Sequence, residues 1–255
     1  MKNILMAFAM TAACTQMAYA SDALKAAIAG EQRTPANVTR DAARHPYETL
    51  TFFNVKEKSV VVELAPGGGW YTEILAPYLR NEGKLILAGA GAKFKTKLEG
   101  MPAVYDKVAF GDLMPGKKTD YAPKNSVDVV LTFRNVHNWM NASDTAAKEV
   151  FQSAFDALKS GGVFGVVEHR LPASATQDMK GGSGYVHESY VIKLAESVGF
   201  KLAAKSEVNA NPKDTANHEG GVWALPPVLG NKEKDKEKYL AIGESDRMTL
   251  KFVKP

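Results

Sequence analysis

The chain has 255 residues, 45% hydrophobic and 24% charged, which suits a full globular core and excludes a disordered tail protein. Its 32 basic and 28 acidic residues leave a net charge of +4, too mild for a dedicated nucleic-acid binder. A single cysteine, Cys14, excludes a disulfide scaffold.

In chain order, residues 1–20 begin with Lys2, continue through an apolar stretch and end Ala18-Tyr19-Ala20. They read as a secretory signal peptide cleaved after Ala20, which places the protein in the periplasm or outside the cell. The apolar stretch is about half the ~20 residues of a spanning helix, so no stable membrane insertion is expected. Thr11 stands where lipoprotein signals carry leucine, so cleavage after Ala20 is preferred to lipid attachment at Cys14.

Residues 21–255 read as one domain. Residues 22–53 form two or three helical segments, with Thr34-Pro35 as a cap and first-turn proline. Four continuously apolar runs, 60–64, 85–88, 127–133 and 163–167, predict strands buried on both faces. Trp70, Ile74, Leu75, Tyr78 and Leu79 share one face of a helix that Pro77 should bend. Val150, Phe151, Ala154, Phe155 and Leu158 repeat that spacing before a stop at Gly161-Gly162. A helix over 187–198, a strand over 201–208 and a half-exposed strand over 248–253 follow. The lysine and acid alternation over 232–238 reads as a solvated face. The fold class expected is α/β: a doubly wound, mostly parallel sheet with N-terminal helices and a C-terminal antiparallel edge strand.

The first buried strand runs into Ala65-Pro66-Gly67-Gly68-Gly69 and then a helix. Consecutive glycines permit positive φ and let backbone N–H groups approach a ligand without a Cβ in the way. The helix start adds unpaired N–H groups, and the carboxyl end of a parallel strand is where ligands bind in such sheets. No Gly-Lys-Ser/Thr follows, so this is not a Walker phosphate loop.

This stretch resembles motif I of class I S-adenosylmethionine-dependent methyltransferases, with Glu63 as the acid, Ala65 in place of the first glycine, and Gly67 and Gly69 as the second and third. Phe110-Gly111-Asp112 resembles the acidic position after the third strand. Residues 128–137 resemble the fourth strand and the substrate-side segment after it, and 158–163 the turn before the fifth. The resemblance spans roughly residues 57–206. Arg44-His45-Pro46 and Gly243-Glu244-Ser245-Asp246-Arg247-Met248 extend it to an exported bacterial group labelled predicted methyltransferase. It implies a Rossmann-like fold, S-adenosylmethionine as cofactor, and methyl transfer to a small polar acceptor. Cofactor contacts fall on Glu63, Ala65, Pro66, Gly67, Gly68, Gly69 and Asp112. The second strand ends Leu87-Ala88-Gly89-Ala90-Gly91, without the acid that would hold the ribose hydroxyls. That departure and the export signal motivate an alternative, a non-catalytic periplasmic binding protein that keeps the crevice for another metabolite.

Catalytic candidates are His137 and His169, just past the fourth and fifth strands, and His187, which opens the next helix. A neutral imidazole can take the proton of an attacking hydroxyl or amine. Arg134, Asn135 and Arg170 are assigned to the substrate, the arginines as paired donors to an anionic group. No metal is expected, because sequence neighbours such as Glu168 and His169 should point to opposite faces of a strand.

Overall fold

In the computed structural model, which describes residues 22–255, the four apolar runs are parallel strands at the centre of one sheet. The expected leader, with Cys14 and the cleavage point after Ala20, lies outside the described residues. N-terminal helices are α1 (22–28), α2 (Pro35–Val38), α3 (Asp41–Arg44) and α4 (Pro46–Phe52). Pro35 and Pro46 each open a helix, where the missing N–H has no partner to lose.

Then come β1 (Val60–Leu64), α5 (Thr72–Leu79), β2 (Lys84–Ala88), α6 (Ala92–Glu99) and α7 (Pro102–Tyr105). A hairpin follows, β3 (Ala109–Met114) with β4 (Lys118–Asp120). The second half contains β5 (Val127–Phe133), α8 (Val136–Ala142), α9 (Ala146–Ala157), β6 (Leu158–Leu171), β7 (Val186–His187) and α10 (Glu188–Ser197). It ends with β8 (Lys201–Ser206), α11 (Lys236–Ile242) and β9 (Arg247–Val253).

The sheet order is β4-β3-β2-β1-β5-β6-β9-β8, with β7 beside the end of β6. Strands β3, β2, β1, β5 and β6 are mutually parallel, and β9 runs antiparallel to both β6 and β8. The C-terminal strand therefore has the expected direction. It lies between β6 and β8 and is covered on both faces, so its first four residues are buried instead of half-exposed. Met248 and Leu250 join the core under α9 and α10, while Arg247 donates to Ala43 O and Thr249 meets the Asn209 side chain that also reaches Thr49.

Alternation along each strand divides the core. Val62, Leu64, Val130 and Phe164 face α9 and α10 through Val150, Phe151, Ala154 and Val191. Val61, Leu87, Val129 and Leu131 face the N-terminal helices, α5 and α6 through Leu50, Phe53, Ile74, Leu75 and Leu98. Strand β1 pairs with β2 on one side and β5 on the other, so the chain winds away from it in both directions. The crevice of such a sheet opens at the carboxyl end of that strand pair, beside the glycine turn. Among the described residues no helix is long and apolar enough to cross a membrane.

Candidate functional site

At the end of β1, Ala65 takes a left-handed backbone (φ 47°), as do Gly67 (59°) and Gly69 (82°). For alanine this conformation costs roughly 1–2 kcal/mol, so its neighbours must hold it. They do: Ala65 N donates to Ala88 O at 2.8 Å, and Asn135 Nδ2 donates to the carbonyls of Leu64 and Ala65 at 3.2 and 3.3 Å. Asn135, assigned to substrate from sequence, thus laces the end of β5 to the glycine turn.

The three glycines serve different purposes. Among the described residues a Cβ on Gly67 or Gly68 would meet nothing within 4 Å, so this part of the turn is open to a ligand. A Cβ on Gly69 would sit 2.1 Å from the Phe94 ring of α6, so Gly69 is required by helix packing. Pro66 precedes them, half-buried, and its carbonyl accepts from Gly69 N at 2.9 Å to close the turn.

Glu63 is fully buried, and Thr72 Oγ1 donates to its Oε2 at 2.6 Å. Burial pushes its carboxyl up to about 8, so at neutral pH it is a protonated tie between β1 and α5. Asp112 follows Gly111, which pairs with Ala88 of β2. Its strand continues into the β4 hairpin, and Lys118 donates to Oδ2 at 2.5 Å. That bond holds the exposed carboxyl below its usual range. Trp70 and Tyr71 precede α5 and are buried, Trp70 donating from Nε1 to Asn37 O at 2.9 Å.

Across the crevice, β5 ends at Phe133 and Arg134 turns left-handed (φ 62°), its N–H donating to Val167 O at 2.7 Å. Helix α8 begins next. Glu168 of β6, fully buried, receives its first amides: Oε2 accepts from Val136 N at 2.6 Å and His137 N at 3.3 Å. Its Oε1 accepts from His169 N at 2.8 Å and lies 3.1 Å from His137 Nδ1. A carboxylate at a helix N-terminus is favoured by the helix dipole, and this one also orients an imidazole.

The His137 and His169 rings lie 5.5 Å apart between centroids, and His169 Nδ1 is 2.5 Å from Ser245 Oγ. Among the described residues neither Nε2 carries a hydrogen bond. Burial, together with the charge of Arg134, holds His169 well below its ordinary value, so it is neutral at pH 7.

Glu168 is the residue that sequence reasoning missed. Instead of pointing away from His169, its side chain curls back onto that residue's own amide, and both neighbours meet His137. One ligand atom from each of His137, Glu168 and His169 falls within 4.8 Å of the others, a composition that suits a transition metal. The surroundings favour an anion instead, because Glu168 already accepts three N–H groups and Arg134, Arg44 and Arg247 add positive potential.

The other assigned residues stand apart. His187 caps α10, its N–H donating to Gln177 Oε1 at 2.6 Å, and no ring contact joins it to the other two histidines. Arg170 is held bidentately by Asp246 and by Glu207, at 2.7 to 3.0 Å, so its guanidinium ties strands together and is not free for a substrate.

No protein-family model matches this sequence, and no curated protein matches it either. Solved structures match its fold. The [4+2]-cyclase SpnF has a TM-score of 0.60 at 15% identity, over 94% of each chain. A putative sarcosine dimethylglycine methyltransferase from Galdieria sulphuraria has 0.56 at 14% identity, over 83% of this chain and 84% of that one. A SAM-dependent methyltransferase from Aquifex aeolicus has 0.54 at 16% identity, over 67% and 87%. The chain therefore has a Rossmann-like class I methyltransferase fold. A cyclase among these structures shows that the fold alone does not name the reaction.

Proposed function

We propose that this protein is an exported S-adenosylmethionine-dependent methyltransferase acting on a small polar acceptor. The observation that carries the proposal is the turn at the end of β1, where the backbone at Gly67 and Gly68 is open to an approaching ligand, with no Cβ in the way and no described residue within 4 Å of where one would stand. Their amides and the start of α5 would hold the amino-acid end of the cofactor, and Asp112, released from Lys118, would receive the adenine amino group. When bound, the cofactor supplies an electrophilic methyl group.

The chain's own residues supply position and a base. His137 Nε2 takes the proton of the attacking acceptor atom, while Glu168 fixes the proton on Nδ1 and stabilises the imidazolium that forms. His169, neutral and next to it, leaves His137 free of a like charge. Isothermal titration of the protein with S-adenosylhomocysteine tests the proposal. One-site binding is expected, and no heat at millimolar ligand would overturn it. Export is tested by N-terminal sequencing of the protein from its native compartment, with Ser21 expected first.

Two observations favour a second function, non-catalytic binding of another metabolite: β2 ends without an acid, and Asp112 is already occupied by Lys118. Mass spectrometry of ligand retained on natively purified protein separates the two. A retained S-adenosyl compound excludes the second, whereas a different metabolite retained by protein that binds no S-adenosyl compound excludes the first.

A further inference from the structure

Two motifs from opposite ends of the chain, Arg44-His45-Pro46 and the segment 243–248, meet beside the crevice. Glu244 accepts from Arg40 Nε at 2.6 Å, Arg44 Nε at 3.3 Å and Arg247 Nη1 at 3.1 Å. Arg247 Nη2 also donates to Ala43 O. Arg134 joins them from the end of β5, and among the described residues its side chain makes no hydrogen bond or ion pair. Three guanidinium groups thus share one carboxylate and a fourth lies near enough to repel them, leaving three positive charges in excess. Nearby acids are committed elsewhere, Asp246 to Arg170 and Asp41 to Arg33.

Buried charge without compensation is expensive, and donors without acceptors add to the cost. Among the described residues Arg44 Nη2 and Arg247 Nε are both buried and without a hydrogen-bond partner, on side chains only 2% and 4% exposed. Arg134 is held in a backbone region that arginine rarely visits. Each such buried donor calls for an acceptor that the described residues do not supply and that a bound anion can. Burial and mutual repulsion pull Arg44 down to about 8 and Arg134 to about 10, strain that a bound anion would relieve.

The cluster borders the proposed reaction centre. Arg44 lies over the Trp70 ring at 4.8 Å, and Tyr71 stacks on Phe133 at 3.6 Å. Arg134, Arg247 and Arg44 all act on His169. The anionic group would therefore sit between the residues that follow the glycine turn and the histidine pair.

We propose that Arg40, Arg44, Arg134 and Arg247 form a pocket for a doubly charged oxyanion, a phosphate monoester or a dicarboxylate, carried by the methyl acceptor. Assigning the group to the acceptor rests on the methyltransferase proposal, whereas capture of an oxyanion does not. Calorimetric titration of the full chain with inorganic phosphate and with malonate, each with and without saturating S-adenosylhomocysteine, tests both parts. One of the two anions is expected to bind, and the tighter one identifies the acceptor's group. Arg134→Asn, which tolerates the left-handed backbone, should weaken that binding by about tenfold to a hundredfold and leave S-adenosylhomocysteine binding unchanged. Arg40→Gln, on a side chain 21% exposed, should weaken it in the same direction and guards against misfolding of the first variant. No binding of either anion, or binding that both variants leave intact, overturns the pocket. Competition between the anion and S-adenosylhomocysteine overturns its assignment to the acceptor. Anion binding without S-adenosylhomocysteine binding leaves the pocket standing and removes the methyltransferase proposal.

Discussion

Replacing Glu168 with glutamine tests the account of the crevice at its most buried point. The carboxylate accepts on both oxygens, from the Val136 and His137 amides on one side and from the His169 amide and the His137 ring on the other. Glutamine keeps the shape but has one acceptor oxygen and one donor nitrogen. With its oxygen toward α8, its NH2 group faces the His169 N–H; turned over, it faces two amides of the helix start. Each buried donor left without an acceptor costs about 1–3 kcal/mol, so the loss should be on the order of 2–4 kcal/mol. In a chain of this size, that lowers Tm by roughly 5–15 °C. Urea unfolding at neutral pH, with thermal unfolding alongside, measures it. Glu168→Ala should lose more, because every donor is then orphaned. A Glu168→Gln protein within about 0.5 kcal/mol of wild type would refute the reasoning.

Other outcomes follow from the same geometry. The Glu63 carboxyl is raised by burial to about 8 from 4.5, so between those values the folded chain binds a proton that the unfolded chain has lost. Its contribution is full below pH 4.5 and is lost as pH rises through about 8. Glu63→Gln should therefore match wild type in acid and gain on it toward pH 8 in parallel urea titrations; parallel profiles would contradict this. Gly69→Ala should cost about 2–4 kcal/mol, because its Cβ meets Phe94 at a positive φ. Gly68→Ala should unfold like wild type yet bind S-adenosylhomocysteine about tenfold more weakly, and equal affinity would count against ligand approach at this turn. Asp112→Asn should leave Tm unchanged, since its ion pair is exposed, while weakening the same ligand in calorimetry.

Much of the sheet is legible in the sequence because its central strands are buried on both faces and read as unbroken apolar runs. The three-residue strand β4 has no such mark: Lys118, Thr119 and Asp120 are all exposed, and only pairing with β3 makes them a strand. The glycine turn is legible for the same local reason, since its chemistry lies in consecutive residues. Roles that depend on distant contacts are not. Asn135 has the right place for a substrate contact, but the neighbouring β1 carbonyls claim its amide. Arg170 looks available until Glu207 and Asp246 are brought beside it. Glu168 is hidden by the rule that strand neighbours alternate, which governs Cβ direction and not the reach of a flexible carboxylate. The arginine cluster joins Arg44 to Glu244 across 200 residues, and only the fold makes that contact.

The central claim is that the amides of the turn after β1 receive a nucleoside bearing an amino-acid tail. Amide NMR of the protein during titration with S-adenosylhomocysteine addresses it residue by residue. The account predicts saturable shifts at Gly67 and Gly68, with Gly161 and Gly162, at the other end of the parallel strands, unmoved. Saturating ligand that leaves Gly67 and Gly68 in place would contradict it.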